Sequence, residues 1–319
     1  PPTVEQLALF AAAAPWIVKG VRWRVVAPVL VVALLAAETL HRARVRPRGL
    51  LVVNVLDVGQ GDAILVDLPD GSAMLVDGGG EVSGYDTGTR IVVPLLAMRR
   101  RTELAMVALS HPHPDHLLGL IPAVDRTKVG TFLYNGLADS DAGEPYRKLM
   151  GELRSHGVQF VTPATSCGRT IELGGASMEI LHPCPGADGD AFDLHGNDGS
   201  LVIKLTYGHR SALLVGDAEL ATERYLVTSH DVMRLHADML KIGHHGSRSS
   251  TGETFVTSVA PTVAAISCGG RNRFGHPHPR TLKMLDGLTA EVHRTDREGA
   301  IRWSTDGDRV WVSVDAPLR

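Results

Sequence analysis

Two hydrophobic regimes divide the chain. Over the first 40 residues Ala, Val and Leu run together without alternation, whereas from residue 50 onward the apolar positions fall into short runs broken by Gly- and Asp-rich turns. Residues 7–18 are apolar but contain Pro15. Residues 25–40 form a mostly apolar stretch of about 16 positions, slightly short of the roughly 20 that cross a bilayer as a helix. Arg22 and Arg24 flank it on one side, and Arg42, Arg44, Arg46 and Arg48 on the other. With both flanks basic, charge gives no orientation, and no small-residue cleavage site intervenes to make it a signal peptide. The stretch reads as a terminal membrane helix, with a buried or interfacial helix as the alternative, and residues 42–49 as its linker. The expected division is an apolar N-terminal segment, 1–48, followed by one larger domain, 49–319.

In that domain the pattern predicts a strand over 51–56 and a hairpin of 64–68 with 73–77, turned at Asp70-Gly71. A helix is expected over 91–98, a buried strand over 104–109 and a helix from 117. A similar order follows: a hairpin of 201–207 with 211–215, a helix over 219–227 and an apolar strand over 239–242. Each hairpin ends in an Asp, at Asp77 and Asp217, and each later strand delivers a His cluster. Two such half-domains, packed sheet against sheet with helices outside, would bring both clusters to one edge. A strand over 263–267, a helix over 280–288 and strands over 291–295, 299–303 and 310–314 complete the α/β pattern.

Composition alters this picture little. A formal net charge of -3 argues against a wholly basic nucleic-acid binder but leaves room for local basic patches. Three cysteines without CxxC spacing indicate neither a disulfide framework nor a thiolate metal site. The chain opens Pro1-Pro2 without a Met, which leads us to expect a piece of a longer or processed protein.

The candidate chemistry is concentrated in Ser110-His111-Pro112-His113-Pro114-Asp115-His116, directly after the 104–109 strand. Three imidazoles and a carboxylate so close together cannot all be packing groups, because buried polar groups need partners and charges need a counter-charge or a metal. Imidazole with carboxylate suits zinc, manganese or iron. Residues two apart in an extended loop reach one ion, so His111 and His113 form one ligand pair, while Asp115 and His116 suit a second. Paired ions share a bridging oxygen, and Asp217 fits that bridge. His244 and His245 point in different directions. His245 is the preferred ligand and His244 the preferred substrate contact. Asp77 is placed either to orient a ligand histidine or to cap a turn. His276 and His278, in a Gly/Pro-stiffened loop ahead of a helix, suit a general acid or an anion contact. Ser247, Ser249 and Ser250 offer hydroxyls to a phosphate, and Arg248, Arg271, Arg273 and Arg280 on the same loops favour a polyanion. Arg99, Arg100 and Arg101 read as a solvated helix end. The set as a whole implies metal-activated hydrolysis.

These motifs resemble the metallo-β-lactamase superfamily over roughly residues 50–319, with Asp77, then His111, His113, Asp115 and His116, then Asp217, then one of His244 and His245. The resemblance implies a four-layer αββα sandwich with a dinuclear site, two divalent ions (Zn²⁺ or Mn²⁺), at one edge. Asp57-Val58-Gly59-Gln60-Gly61-Asp62, Gly243-His244-His245-Gly246-Ser247 and Gly275-His276-Pro277-His278-Pro279 also resemble the C-terminal domain of the ComEC family of DNA-internalisation competence proteins. That resemblance implies a nuclease acting on incoming DNA outside the cytoplasm, attached to a membrane channel and needing no nucleotide cofactor.

The expected site then has Asp115, His244, His276 and His278 as catalytic residues. Asn197, Ser200, Ser247, Arg248 and Arg273 are expected against the substrate, and Asp57, Asp62 and Asp77 behind the ligands His111, His113, Asp115, His116, Asp217 and His245. The superfamily's third-motif His is missing here, where the chain reads His195-Gly196-Asn197-Asp198-Gly199-Ser200, and His195 is the candidate substitute. One ion is therefore expected to be firm, on Asp115, His116, Asp217 and His245, and the other looser, on His111 and His113. His113 stands where the competence-type pattern often has Asp, which makes zinc plausible beside manganese. The alternatives are a small-molecule metallohydrolase (an esterase, lactonase or phosphorylcholine-type esterase) and a non-catalytic DNA-binding or gating domain.

Overall fold

The computed structural model describes residues 2–18, 23–82, 85–184, 193–288 and 291–316. Two N-terminal helices, α1 (Val4–Val18) and α2 (Trp23–Val45), precede the domain. α2 is longer than the apolar stretch alone predicts, because His41, Arg42 and Arg44 continue it beyond Leu40. Its Val26–Val45 portion, 20 residues of which none is buried, is long and apolar enough to cross a membrane. Gln6 donates to Glu38 between the two helices, and Val29, Val32 and Leu35 are exposed.

The domain begins with β1 (Leu51–Val55), β2 (Ile64–Asp67) and β3 (Ala73–Val76). Helix α3 (Val93–Met98) leads to β4 (Glu103–Leu109), the single turn α4 (Pro114–Leu117) and α5 (Leu120–Arg126). Then come β5 (Lys128–Tyr134), α6 (Glu144–Ser155), β6 (Gln159–Val161), β7 (Thr170–Leu173) and β8 (Ala176–His182). The second half contains β9 (Val202–Tyr207), β10 (Arg210–Leu214), α7 (Leu220–Ser229), β11 (Met239–Lys241) and α8 (Glu253–Val259). It ends with β12 (Val263–Ile266), α9 (Pro279–Asp286), β13 (Glu291–Arg294), β14 (Ile301–Thr305) and β15 (Val310–Val314).

Two sheets result. One has the order β15-β14-β1-β2-β3-β4-β5-β6 and the other β13-β12-β11-β10-β9-β8-β7. In each, a hairpin is followed by parallel strands: Leu75 pairs with Val107, and Leu213 with Leu240. The final hairpin returns to the first sheet, where Val53 pairs with Trp303. Val53, Val66 and Met74 of one sheet meet Met178, Ile203 and Leu214 of the other in a central core. The outer face of the first sheet packs Leu75 and Val107 against Leu96, Leu120 and Leu149, and that of the second packs Leu213 and Leu240 against Leu226, Val256 and Leu285. The result is the four-layer αββα sandwich expected from the sequence, and its two parallel regions send the ends of β3, β4, β10 and β11 to one edge, where ligands bind in such sheets.

Two expectations are corrected. The three arginines after α3 are not a solvated end: Arg101 is buried, and both it and Arg99 bond the fully buried Asp67 of β2, at 2.7 and 2.6 Å. Arg100 pairs with Glu38 of α2, and Arg46 donates to the Arg99 carbonyl, so the helical segment is fastened to the domain at this point. Burial of the Asp67 carboxylate demands paired cations, which overrides the apparent charge run. Second, Cys167 and Cys184 form a disulfide, with Cα atoms 5.6 Å apart, leaving buried Cys268 as the free thiol. The odd cysteine count concealed a pair that β8 and the turn before β7 bring together.

Candidate metal centre

The end of β3 supplies Asp77, held at φ +56° in the left-handed region that non-glycine residues seldom occupy. Its carboxylate accepts Ser110 N at 2.7 Å, Ser110 Oγ at 2.6 Å and the ring of His116 at Nδ1, 2.8 Å away. Ser110 is the last residue before the cluster, so Asp77 ties the end of β3 to the loop that leaves β4. The hold on Nδ1 directs His116 Nε2 inward, the arrangement by which a carboxylate orients a metal-binding imidazole. Gly61 permits this packing from the other side: at φ +125°, a Cβ there would lie 2.2 Å from the Asp115 carbonyl.

Asp217 follows β10 in the matching position. Its backbone N–H donates to Ser200 Oγ, and its Oδ2 lies 3.3 Å from His116 Nε2, 3.4 Å from His245 Nε2, 3.9 Å from His244 Nε2 and 4.0 Å from His111 Nε2. His245 Nε2 is also 3.5 Å from Asp115 Oδ2, while its Nδ1 bonds the Ser267 carbonyl at 3.0 Å. His244 and His245 are both left-handed, at φ +45° and +54°. That pair of strained residues, at a cost of about 1–3 kcal/mol each, brings both Nε2 atoms toward Asp217.

The donor sets His111, His116 and Asp217, then Asp115, His116 and His245, then Asp62, Asp217 and His245, each gather within 4.8 Å. The Nε2 atoms of His111, His116 and His245 are buried without hydrogen-bond partners. Three buried imidazole nitrogens facing one carboxylate are a donor set that fits a divalent cation. His113 is half-buried with its ring 4.5 Å from that of His111, and it joins none of these close donor sets.

Sequence reasoning passed over two contributors. Lys241, the last residue of β11, is fully buried. Its Nζ donates to the Gly216 carbonyl at 3.0 Å, pairs closely with Asp62 and lies 3.8 Å from Asp217 Oδ1. A lysine ending an apolar run looks like an ordinary strand end, and nothing local announces a partner as distant in sequence as Asp62. Glu219, beside Asp217, accepts His244 Nδ1–H at 2.8 Å, Ser249 Oγ at 2.7 Å and Asn197 Nδ2 at 3.2 Å. It sets the His244 ring with Nε2 toward Asp217.

The electrostatics follow this geometry. Burial pushes Asp62 up, but the Lys241 ammonium together with His245 and His116 outweighs it and holds the carboxyl down to about 2. Burial opposes charge on His245, yet Asp217, Asp115 and Asp62 raise it to about 9. His116 is raised likewise by Asp217 and Asp77, whereas His111 is lowered by burial and by the charge of His116. Burial, with His244 and His245 adding to it, lowers His276 to about 4, so this imidazole is neutral near pH 7.

Other expected residues stand elsewhere. Asp57 accepts Gly59 N in its own turn and borders a separate cavity with Arg302 and Asp315. His278 is a helix cap, its Nδ1 accepting Arg280 N at 3.2 Å at the start of α9, which replaces the general-acid expectation. Ser200 is fully buried behind Asp217 and Ser247 is 6% exposed, bonded to Ser249, so neither presents a hydroxyl to a substrate. Asn197 serves the Glu219–His244 pair, and His195 is exposed, its backbone N–H donating to Asp193. Arg248 is exposed and borders a groove of about 480 Å³ with Arg280 and Lys283, and exposed Arg273 lies over Phe274.

A family model described as the metallo-beta-lactamase superfamily matches residues 56–271. The chain is similar to ComE operon protein 3 of Bacillus subtilis (strain 168), 29% identical over 265 residues that cover 79% of this chain and 32% of that protein. It is similar also to Competence protein ComA of Neisseria gonorrhoeae, 28% identical over 273 residues, 85% of this chain and 35% of that one. The chain thus spans about a third of the length of these curated relatives. Among solved structures it shares its fold with CmlA, a diiron beta-hydroxylase from Streptomyces venezuelae, at TM-score 0.52 and 18% identity over 80% of this chain and 54% of that one.

Proposed function

The chain belongs to the metallo-beta-lactamase superfamily, and from that premise we propose that it is the metal-dependent nuclease domain of a membrane protein for DNA uptake. The observation that carries the metal-dependent chemistry is the convergence of buried, unpartnered imidazole nitrogens on Asp217. The DNA substrate rests on the competence-type relatives and on the exposed Arg248 and Arg273 of the loops around the centre. Asp115, His116, Asp217 and His245 would hold the firmer ion, and His111, His113 and Asp217 the looser. Bound divalent ions, Zn²⁺ or Mn²⁺, supply an acidified water and stabilise charge on the phosphate oxygens.

The chain's own groups do the rest. Asp77 and the Ser267 carbonyl hold His116 and His245 by their Nδ1 atoms, so both present Nε2. Glu219 takes the Nδ1–H of His244, which leaves its Nε2 free to take a proton from water and then return that proton to the leaving oxygen. Neutral His276 offers a hydrogen bond beside it, its ring 5.3 Å from that of His244. The exposed apolar surface of α2 supports membrane attachment of residues 1–48. The Cys167–Cys184 disulfide supports an extracytoplasmic position for domain 49–319, because disulfides persist in oxidising compartments.

Incubation of the detergent-solubilised chain with end-labelled linear DNA and with a small p-nitrophenyl ester, under Mn²⁺, Zn²⁺ or chelator, tests this reading. Metal-dependent DNA cleavage is expected, reduced at least about a hundred-fold in Asp115→Ala without loss of cooperative melting. Ester hydrolysis with DNA left intact would overturn the nuclease reading.

A further inference from the structure

We propose that Phe274 is a stacking platform for a nucleobase, and that the substrate therefore reaches the metal centre as a single strand or a frayed end. The inference rests on the nuclease reading and deepens it. Phe274 is 56% exposed although large and apolar, and it lies on the loop between β12 and α9 that also carries His276. Its ring stacks on His276 at 5.7 Å and 24° between planes. His276 is in turn 5.3 Å from the ring of His244 and 6.3 Å from that of His245. Two ring-to-ring steps thus lead from solvent to a residue of the donor set around Asp217.

The loop holds this aromatic in place. Asn272 Oδ1 accepts the backbone N–H groups of Phe274, at 3.2 Å, and His276, at 3.0 Å. Its Nδ2 donates to the carbonyls of Gly269 and His276, each at 2.6 Å. A side-chain amide that bridges both ends of the loop fixes an apolar ring in water, which local stability does not require. The exposed guanidinium of Arg273 lies over the ring, 5.1 Å from its centre, so a base takes the ring by displacing that side chain, which then gives an adjoining phosphate its counter-charge. An aromatic face flanked by a cation is how proteins take unpaired bases without reading sequence. Bases inside a duplex are already stacked on both faces and cannot use it, so the preference follows from the geometry.

The test is the affinity of the metal-free, detergent-solubilised full chain for a fluorescent oligodeoxynucleotide, single-stranded or as a blunt duplex, measured by anisotropy in EDTA. Phe274→Leu is expected to weaken single-strand binding by between about five-fold and about a hundred-fold, while duplex binding changes less than about two-fold. Phe274→Trp is expected to restore single-strand affinity, and unchanged melting of both variants shows that the loop change has not unfolded the domain. Wild-type single-strand affinity in Phe274→Leu, or an equal loss on both forms, overturns the platform. If the unaltered chain binds and cuts DNA in that case, the nuclease reading survives; if it neither binds nor cuts DNA, both fall.

Discussion

At the scale of residues, the centre is a group of buried charges arranged so that a cation completes them. In the metal-free protein His245, raised to about 9, and His116 hold protons that a bound ion must displace. Metal affinity is therefore expected to rise with pH from 6 toward 9, up to about ten-fold per unit for each proton released. Titration calorimetry in buffers of different ionisation enthalpy measures that release, and an affinity flat across this range would contradict it. Lys241 makes a second prediction. Its removal leaves Asp62 buried beside Asp77 and Asp217 without its closest counter-charge, so Lys241→Met should cost about 3–5 kcal/mol by urea unfolding. Lys241→Met with Asp62→Asn should recover most of that loss, because no unpaired charge remains. A single variant as stable as the parent would show the pair to be dispensable.

At the scale of elements, Glu223 of α7 links the two halves of the second helical layer. Buried, it accepts the backbone N–H groups of Thr251 and Gly252 just before α8. Burial lifts it to about 7, against those two hydrogen bonds. A carboxyl raised in the folded state binds more protons folded than unfolded, so stability falls as pH rises from about 4.5 to about 7. The difference is roughly 3 kcal/mol at full ionisation. Glu223→Gln should flatten the stability profile between pH 5 and pH 8 in denaturant titrations, and an unchanged slope would assign the pH dependence elsewhere. Elements were legible where chemistry or alternation marked them, as in the hairpins ending at Asp77 and Asp217. The stretch from β5 to β8 carries no chemical motif and went unread. Its α6 buries Leu149, Met150 and Leu153 along one side, a packing signal that needs the sheet beneath it to be interpreted.

At the scale of the whole molecule, the internal duplication foretold two sheets meeting at an edge but not the return of β14 to β1, which depends on pairing across most of the chain. The same limit applies to the site. His111, His113, Asp115 and His116 could be proposed from local spacing and Asp217 from the repeat, whereas spacing gives only a preference for His245 over His244. Lys241 and Asp62, or Cys167 and Cys184, meet only through tertiary packing, and Ser200 lost its expected substrate role because the strand that follows it is central. His111 Nε2 lies 4.0 Å from Asp217 against 3.3 Å for His116, and His113 lies outside the close donor sets, which supports the proposal of one firmer and one looser ion. The most direct test is the metal retained after desalting from excess Mn²⁺ or Zn²⁺, counted by elemental analysis for the parent chain and for Asp217→Asn. About one ion per chain should remain with the parent, a second should bind only while metal is in excess, and Asp217→Asn should keep neither. A parent chain that retains no metal, or an Asp217→Asn chain that retains as much as the parent, would contradict a centre built on Asp217.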